Sequence, residues 1–301
     1  MGTPDFSVPT LEKLHNDKNI DIKYVVTKAD SKSSRGQKIN ISDVKKKALE
    51  LNLNILQPEK IRDDKEVINK IKEANPDFII VVAYGQILTK EILDIPKYAC
   101  INGHASLLPK YRGASPIQTA ILNGDKVTGT TSMLMDVGLD NGNILLQKEV
   151  EISDKETSDS LFEKLSIVTA DTIYETIINF TNIKSIKQDE SKVSKSIIIK
   201  KEFGLIDFTN ETAIEIDRKV RAYNSWPSAY IIENDIIYKI WDVDVLNACD
   251  DFDNGKIVFN MIRIVNNKLI AKCREGFLMI NEIQKSGKNR LSAKEFINGL
   301  K

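Results

Sequence analysis

Only two of the 301 residues are histidine and only three are cysteine, so chemistry that needs either type has few places to occur. Cys100, Cys249 and Cys273 are scattered, odd in number and form no CxxC pair, which argues against a disulfide framework and a zinc site. They read as small buried apolar side chains. Long apolar runs are missing too: 78–84 and 236–245 are short or broken by charge, far below the roughly 20 residues that span a bilayer. The N-terminus has no basic start, apolar stretch or small-residue cleavage site, so neither a secretory signal nor a membrane segment is read and the expected location is the cytoplasm. Net charge is also absent. The 43 basic residues balance 43 acidic ones, which argues against broad, non-specific nucleic-acid binding.

What is present is an ordinary globular composition, 42% hydrophobic and 29% charged, on a chain long enough for two domains with a core each. The charge is unevenly placed. Between 28 and 47, Lys28, Lys32, Arg35, Lys38, Lys45, Lys46 and Lys47 face only Asp30 and Asp43. A second basic excess runs from Lys256 to the C-terminus, through Arg263, Lys268, Lys285, Lys288 and Arg290.

Strands and helices alternate in the first half. Short β-branched or apolar runs at 22–27, 78–83, 98–102 and 129–136 predict strands, and 42–51, 67–74 and a long stretch from 157 to 180 predict helices. Uninterrupted apolar strands fit a mostly parallel sheet covered on both faces, hence an α/β first domain over 1–183. Residues 184–202, rich in Lys, Ser, Asp and Glu, read as a connector. Over 203–301, a helix at 211–223 and short strands at 230–232, 236–245, 255–259, 262–265, 268–271 and 277–284 predict a small barrel.

The chemistry concentrates after the 98–102 strand, in a segment running from Ile101 to Ile117. In open α/β sheets ligands sit at strand carboxyl ends, and side chains along an extended segment repeat with period two, so Asn102 and His104 face the same way. A second loop, from Met135 to Ile144, carries Asp140 between Gly138 and Gly142, which allow a tight turn that aims the carboxylate inward. His15 sits in a charged helix beside Lys13 and Asp17 with no supporting pattern, which leaves His104. A strand-end histidine alone is more often structural. An amide donor that can hold an oxyanion and a carboxylate that favours the imidazolium reverse that weighting. Those are the parts that acyl transfer to an amine requires.

Several segments then carry a resemblance: Gly2-Thr-Pro-Asp-Phe-Ser-Val-Pro9, Leu56-Gln-Pro-Glu-Lys60, Val81-Val-Ala-Tyr-Gly-Gln-Ile-Leu88, the His104 segment, the Asp140 loop, Trp226-Pro-Ser-Ala-Tyr230, Lys239-Ile-Trp241 and Gly287-Lys-Asn-Arg-Leu-Ser292. Over nearly its whole length the chain resembles the methionyl-tRNA formyltransferase family. The resemblance implies a Rossmann-like formyltransferase domain followed by an OB-like domain that helps hold tRNA. It implies formyl transfer from 10-formyltetrahydrofolate, without a metal, to the α-amine of initiator methionyl-tRNA. Asn102, His104 and Asp140 would be catalytic: Asn102 and protonated His104 would stabilise the oxyanion while Asp140 keeps His104 charged and moves protons.

Folate would be met by Tyr84, Gly85, Gln86, Ile87 and Leu88, by Ser106, Leu107, Leu108 and Pro109, and by Gly138 and Leu139. tRNA contacts are expected from Arg35 and Lys38 in a basic loop, from Lys110 and Arg112, and from Lys288 and Arg290; the two tryptophans are expected in the core. The expected state is a monomer. Two departures stand out. The family begins with a short apolar strand ahead of Gly2-Thr-Pro, so the native protein is expected to begin a few residues upstream. Gly103 replaces an apolar residue, which is expected to loosen its strand. Glycinamide ribonucleotide and amino-sugar formyltransferases share the Asn, His and Asp, so the acceptor rests on the basic loop and the second domain. A nucleic-acid-binding module with a disabled enzyme domain is the reading from another class.

Overall fold

The computed structural model describes residues 1–32 and 39–300; Arg35 and Lys38 lie outside the described residues. The apolar runs become strands. Val25–Val26 (β1) pairs parallel with Ile55–Leu56 (β2), and Phe78–Val82 (β3) pairs parallel with Ala99–His104 (β4). Met1 and Gly2 bridge the two ladders through backbone bonds: the Met1 ammonium donates to Ile80 O at 2.6 Å, Val82 N to Met1 O at 3.0 Å and Gly2 N to Val26 O at 3.0 Å. A cavity of about 520 Å³ lies alongside, walled by Leu14, Ile22, Val25, Phe78 and Ile80 among others.

After β4 the direction reverses. Val127–Leu134 (β5) runs antiparallel to β4, and Ile144–Glu151 (β6) antiparallel to β5, in the order β3-β4-β5-β6. The mostly parallel sheet expected from the sequence is therefore mixed. Residues 135–143 are too few for the crossover of roughly a dozen residues that parallel pairing needs, so β5 and β6 form a hairpin. Along β6 the residues Gln147, Lys148 and Glu149 stay partly or fully exposed, which suits a strand with one wet face.

Helices cover this sheet. Val8–His15 (α1) starts with Pro9 in its first turn, where the missing N–H costs nothing. Asp43–Glu50 (α2) is capped by the Ser42 hydroxyl accepting from Lys45 N, and Lys65–Glu73 (α3) by Asp64 accepting from Val67 N. Pro116–Asn123 (α4) falls, but for its first residue, in the second of two compact units, and the long Ser158–Ile178 (α5) follows. α5 meets β5 through buried hydroxyl pairs, Thr130 with Thr172 at 2.8 Å and Ser132 with Thr176 at 2.6 Å.

Two compact units result. The first takes in Met1–Pro116, Val127–Glu151 and Phe162–Ser196; the second takes in Ile117–Lys126, Ile152–Leu161 and Ile197–Lys301. Residues 184–196, read from composition as connector, thus belong to the first unit, tied down by main-chain bonds such as the reciprocal Ile144–Ile186 pair at 2.8 Å.

The second unit is an antiparallel sheet of Ala229–Glu233 (β7), Ile236–Leu246 (β8), Lys256–Phe259 (β9), Ile262–Val265 (β10), Lys268–Lys272 (β11), Phe277–Lys285 (β12) and Leu291–Ser292 (β13). The order is β9-β10-β11-β12-β8-β7, with β13 on β12. Among the described residues β7 and β9 do not pair with each other, so the ladder read from the sequence as a small barrel is open between them. Ala213–Ala222 (α6) and Ala293–Asn298 (α7) both begin with capping boxes, Thr212 with Glu215 and Ser292 with Glu295. Ile216, Val220, Ile240, Ile262, Leu269 and Leu278 are buried in its core.

Candidate functional site

β4 ends on Asn102-Gly-His104, and alternation along the strand turns Gly103 to the opposite face. There it meets α5: a Cβ on Gly103 would lie 2.7 Å from Thr169 Cγ2 and 3.2 Å from Ile173 Cγ1. Gly103 therefore lets the helix approach the strand, and the expected loosening gives way to close packing. Asn102 is half-buried, and among the described residues its amide has no hydrogen-bonding partner.

His104 is buried. Its Nε2 lies 3.0 Å from Tyr111 O, and a carbonyl only accepts, so Nε2 carries the proton and Nδ1 faces the other way. Nδ1 is 3.8 Å from Asp140 Oδ2, an ion-pair distance longer than a hydrogen bond. The same carboxylate oxygen accepts from Gly113 N at 2.8 Å. A buried imidazole and a partly buried carboxylate are thus held face to face by two main-chain groups of the loop after β4.

Asp140 reaches His104 by an indirect route. In the β4–β5 ladder, Leu134 at the carboxyl end of β5 is opposite Ile101, whereas His104 is opposite Thr131. The hairpin loop must fold back along β4 to deliver the carboxylate. Asp140 itself adopts the left-handed conformation, φ 49°, uncommon for a residue with a side chain and frequent at functional sites. Its glycine neighbours serve by having no Cβ rather than by positive φ. On Gly142 a Cβ would sit 1.7 Å from Leu134 O, and on Gly138 it would run into the Asn141 side chain.

The residues expected to wall the folate site divide into two sets. Gly85, Gln86 and Ile87 line a cleft of about 510 Å³ together with Lys28, Lys60 and Arg62, and Ile87 is 75% exposed. Leu139, next to Gly138, is 67% exposed, so apolar surface is available on both loops. Tyr84 and Leu88 instead belong to the core with Val26, Ile61, Ile68 and Ile92, and burial pushes the Tyr84 phenol well above its ordinary range. Gln86 is a staple: its Oε1 accepts from Ile61 N at 2.8 Å and its Nε2 donates to Pro58 O and Glu59 O. Ser106 and Leu108 are buried beneath the His104 loop, where Ser106 Oγ donates to Lys110 O at 2.6 Å and Leu108 packs on Met133 and Ile144. Leu107 and Pro109 are partly exposed.

Arg112 departs furthest from expectation. Instead of offering a cation to tRNA, it is buried, bonded to Gln188 Oε1 through Nε at 3.0 Å and Nη2 at 2.9 Å, and paired with Glu190 at 2.9 Å. Lys110 and Lys288 are exposed. Arg290 pairs with Glu282 and stacks 4.9 Å over the Trp241 ring, which Lys239 also faces at 5.3 Å. Arg263 donates to Phe252 O and Asp253 O. Neither tryptophan is a core residue: Trp226 is 55% exposed and Trp241 half-buried between cations. Gln188, Ser194 and Ser196, which contact the site loops, carry no motif in the sequence. Among the described residues no helix is long and apolar enough to cross a membrane, and no group of three or more His, Cys, Asp or Glu is placed to hold a metal ion.

The chain has relatives among known proteins. The formyl transferase pattern matches residues 1–177, and the formyl transferase C-terminal domain pattern matches residues 198–301. A solved N-formyltransferase from Helicobacter canadensis, bound to folinic acid and dTDP-3-aminofucose, is similar in fold, with a TM-score of 0.63 at 22% identity over 94% of this chain and 97% of that one. A methionyl-tRNA formyltransferase of Thermodesulfovibrio yellowstonii is 45% identical over 302 residues, covering 100% of this chain and 95% of the relative. That of Clostridium novyi is 44% identical over 301 residues, covering 99% and 95%. With such identity along both units, the chain belongs to the methionyl-tRNA formyltransferase family.

Proposed function

We propose that this chain transfers the formyl group of 10-formyltetrahydrofolate to the α-amine of methionyl initiator tRNA in the cytoplasm, as a monomer, at a site made by Asn102, His104 and Asp140. The observation that carries the site is the pair of a buried His104 with a partly buried Asp140, fixed by Tyr111 O and Gly113 N and set one alternation away from the open amide of Asn102.

The folate supplies an activated formyl carbon. Attack by the neutral amine places negative charge on the formyl oxygen, which Asn102 Nδ2 can receive by hydrogen bond while the positive charge of a protonated His104 offsets it. A proton on Nδ1 is drawn by Asp140, whose second oxygen is left to accept the proton that the amine sheds and to pass it to the folate nitrogen as the tetrahedral carbon collapses and its bond to that nitrogen breaks. Ile87 and Leu139 supply apolar walls for the pterin, and Gly85 lets the backbone approach it. The C-terminal domain, residues 203–301 on this reading, is an OB-like surface that holds tRNA with Lys288 and Arg290, while Arg35, Lys38 and Lys110 meet the acceptor end.

A formylation assay with charged initiator tRNA tests the assignment. His104→Ala and Asp140→Ala should each lower turnover by about 10²- to 10⁴-fold while leaving tRNA affinity as it was. Near wild-type turnover by His104→Ala would remove histidine from the mechanism. Offering an amino sugar nucleotide as the acceptor separates the tRNA reading from the sugar one.

A further inference from the structure

The segment classed from composition as a connector is a strap over both loops of the site. Ile186 pairs with Ile144 at the base of the Asp140 hairpin. Ser194 and Ser196 hold the other loop: Tyr111 N donates to Ser194 Oγ at 3.0 Å, Arg112 N to Ser194 O at 2.9 Å, Ser196 N to Arg112 O at 2.8 Å and Ser115 N to Ser196 Oγ at 3.1 Å. Tyr111 and Gly113, the residues that hold His104 and Asp140, are thus placed by the strap.

At its centre is Gln188, buried at 4% exposure. Its Nε2 donates to Asp140 O and to Gly142 O, both at 2.8 Å, and its Oε1 receives Arg112. An amide is the uncharged side chain that can do all of this at once, with two donors for two carbonyls and an acceptor for a guanidinium. The grip spans Asn141 and fixes the left-handed turn that Asp140 would otherwise leave at a gain in backbone energy. Arg112 in turn is held by Glu190, so the amide cannot rotate without stranding a buried guanidinium.

We propose that Gln188, oriented by Arg112, is a positioning residue that holds Asp140 against His104, which makes the 186–196 strap part of the active site. This rests on the reading of Asp140 as a catalytic residue. Gln188→Glu keeps an acceptor for Arg112 and removes both donors to the Asp140 turn, so the strap stays anchored while the turn is released. Under saturating substrates its kcat should fall by about 10- to 100-fold, the scale of a misplaced catalytic group, with both KM values unchanged. Gln188→Leu, checked for an intact melting transition, should do the same.

The decisive measurement is the double-variant cycle. In an Asp140→Asn background, itself strongly impaired, Gln188→Glu should cost nothing further, because its target is already lost. An equal loss in both backgrounds would show that Gln188 supports the fold alone and overturn the proposal, as would a wild-type kcat for the single variant. Wild-type turnover by Asp140→Asn would instead bring down the catalytic reading, and the positioning role with it.

Discussion

Burial decides which of the three thiols reacts. Cys100 and Cys273, 5% and 6% exposed, have their thiols pushed up to about 12 by burial, whereas Cys249 is half-buried. Alkylation proceeds through the thiolate, so iodoacetamide at pH 8 should label the native protein at Cys249 and reach the other two only after unfolding. Peptide mapping by mass reads this directly; native labelling of Cys100 as fast as Cys249 would mean that the β3–β4 core opens on the labelling timescale.

The same scale shows what a sequence discloses about a site. Asn102 and His104 could be paired on paper because period two needs no knowledge of the fold, and Asp140 because two glycines mark its turn. Arg112 could not be read. Beside Lys110 and an exposed-looking loop it passes for a tRNA contact, and its partners Gln188 and Glu190 are 76 and 78 residues away. Gln86 misleads for the same reason, since its bonds run back to residues 58–61.

Between elements, Gly103 carries the clearest consequence. The resemblance leads to an expected apolar residue there, but in this chain Thr169 and Ile173 of α5 occupy the space that a side chain would need. Gly103→Leu should destabilise the protein by about 1–3 kcal/mol through overpacking, read as a lower denaturation midpoint at unchanged m-value. A stability equal to wild type would show that α5 can slide outward at no cost. The strands with continuous apolar runs and the capped helices were legible because their signals are local. The antiparallel turn after β4 was not, since β6 mixes Leu145 and Leu146 with Gln147, Lys148 and Glu149 and announces itself only through pairing with β5. Nor was the strap, a polar segment whose buried contacts are all with distant chain.

Across the whole molecule the charge sums to zero, so no net charge draws tRNA in and affinity must come from particular cations in the local basic patches. The structure separates cations already engaged from exposed ones. Arg112 is buried against Glu190 and Arg263 is spent on Phe252 and Asp253 carbonyls, while Lys110, Lys288 and Arg290, the last also paired with Glu282, are exposed. Phosphate contacts release counterions, so each one lost should flatten the plot of log affinity against log salt by roughly 0.7–0.9. Lys288→Ala and Arg35→Ala should therefore each flatten it by about that amount. Arg112→Ala should leave the slope unchanged while lowering turnover, because it acts through Gln188 on the Asp140 turn. Equilibrium tRNA binding from low to moderate salt, run beside the formylation assay, measures both; a flatter slope for Arg112→Ala would return that guanidinium to the tRNA interface and take it out of the strap.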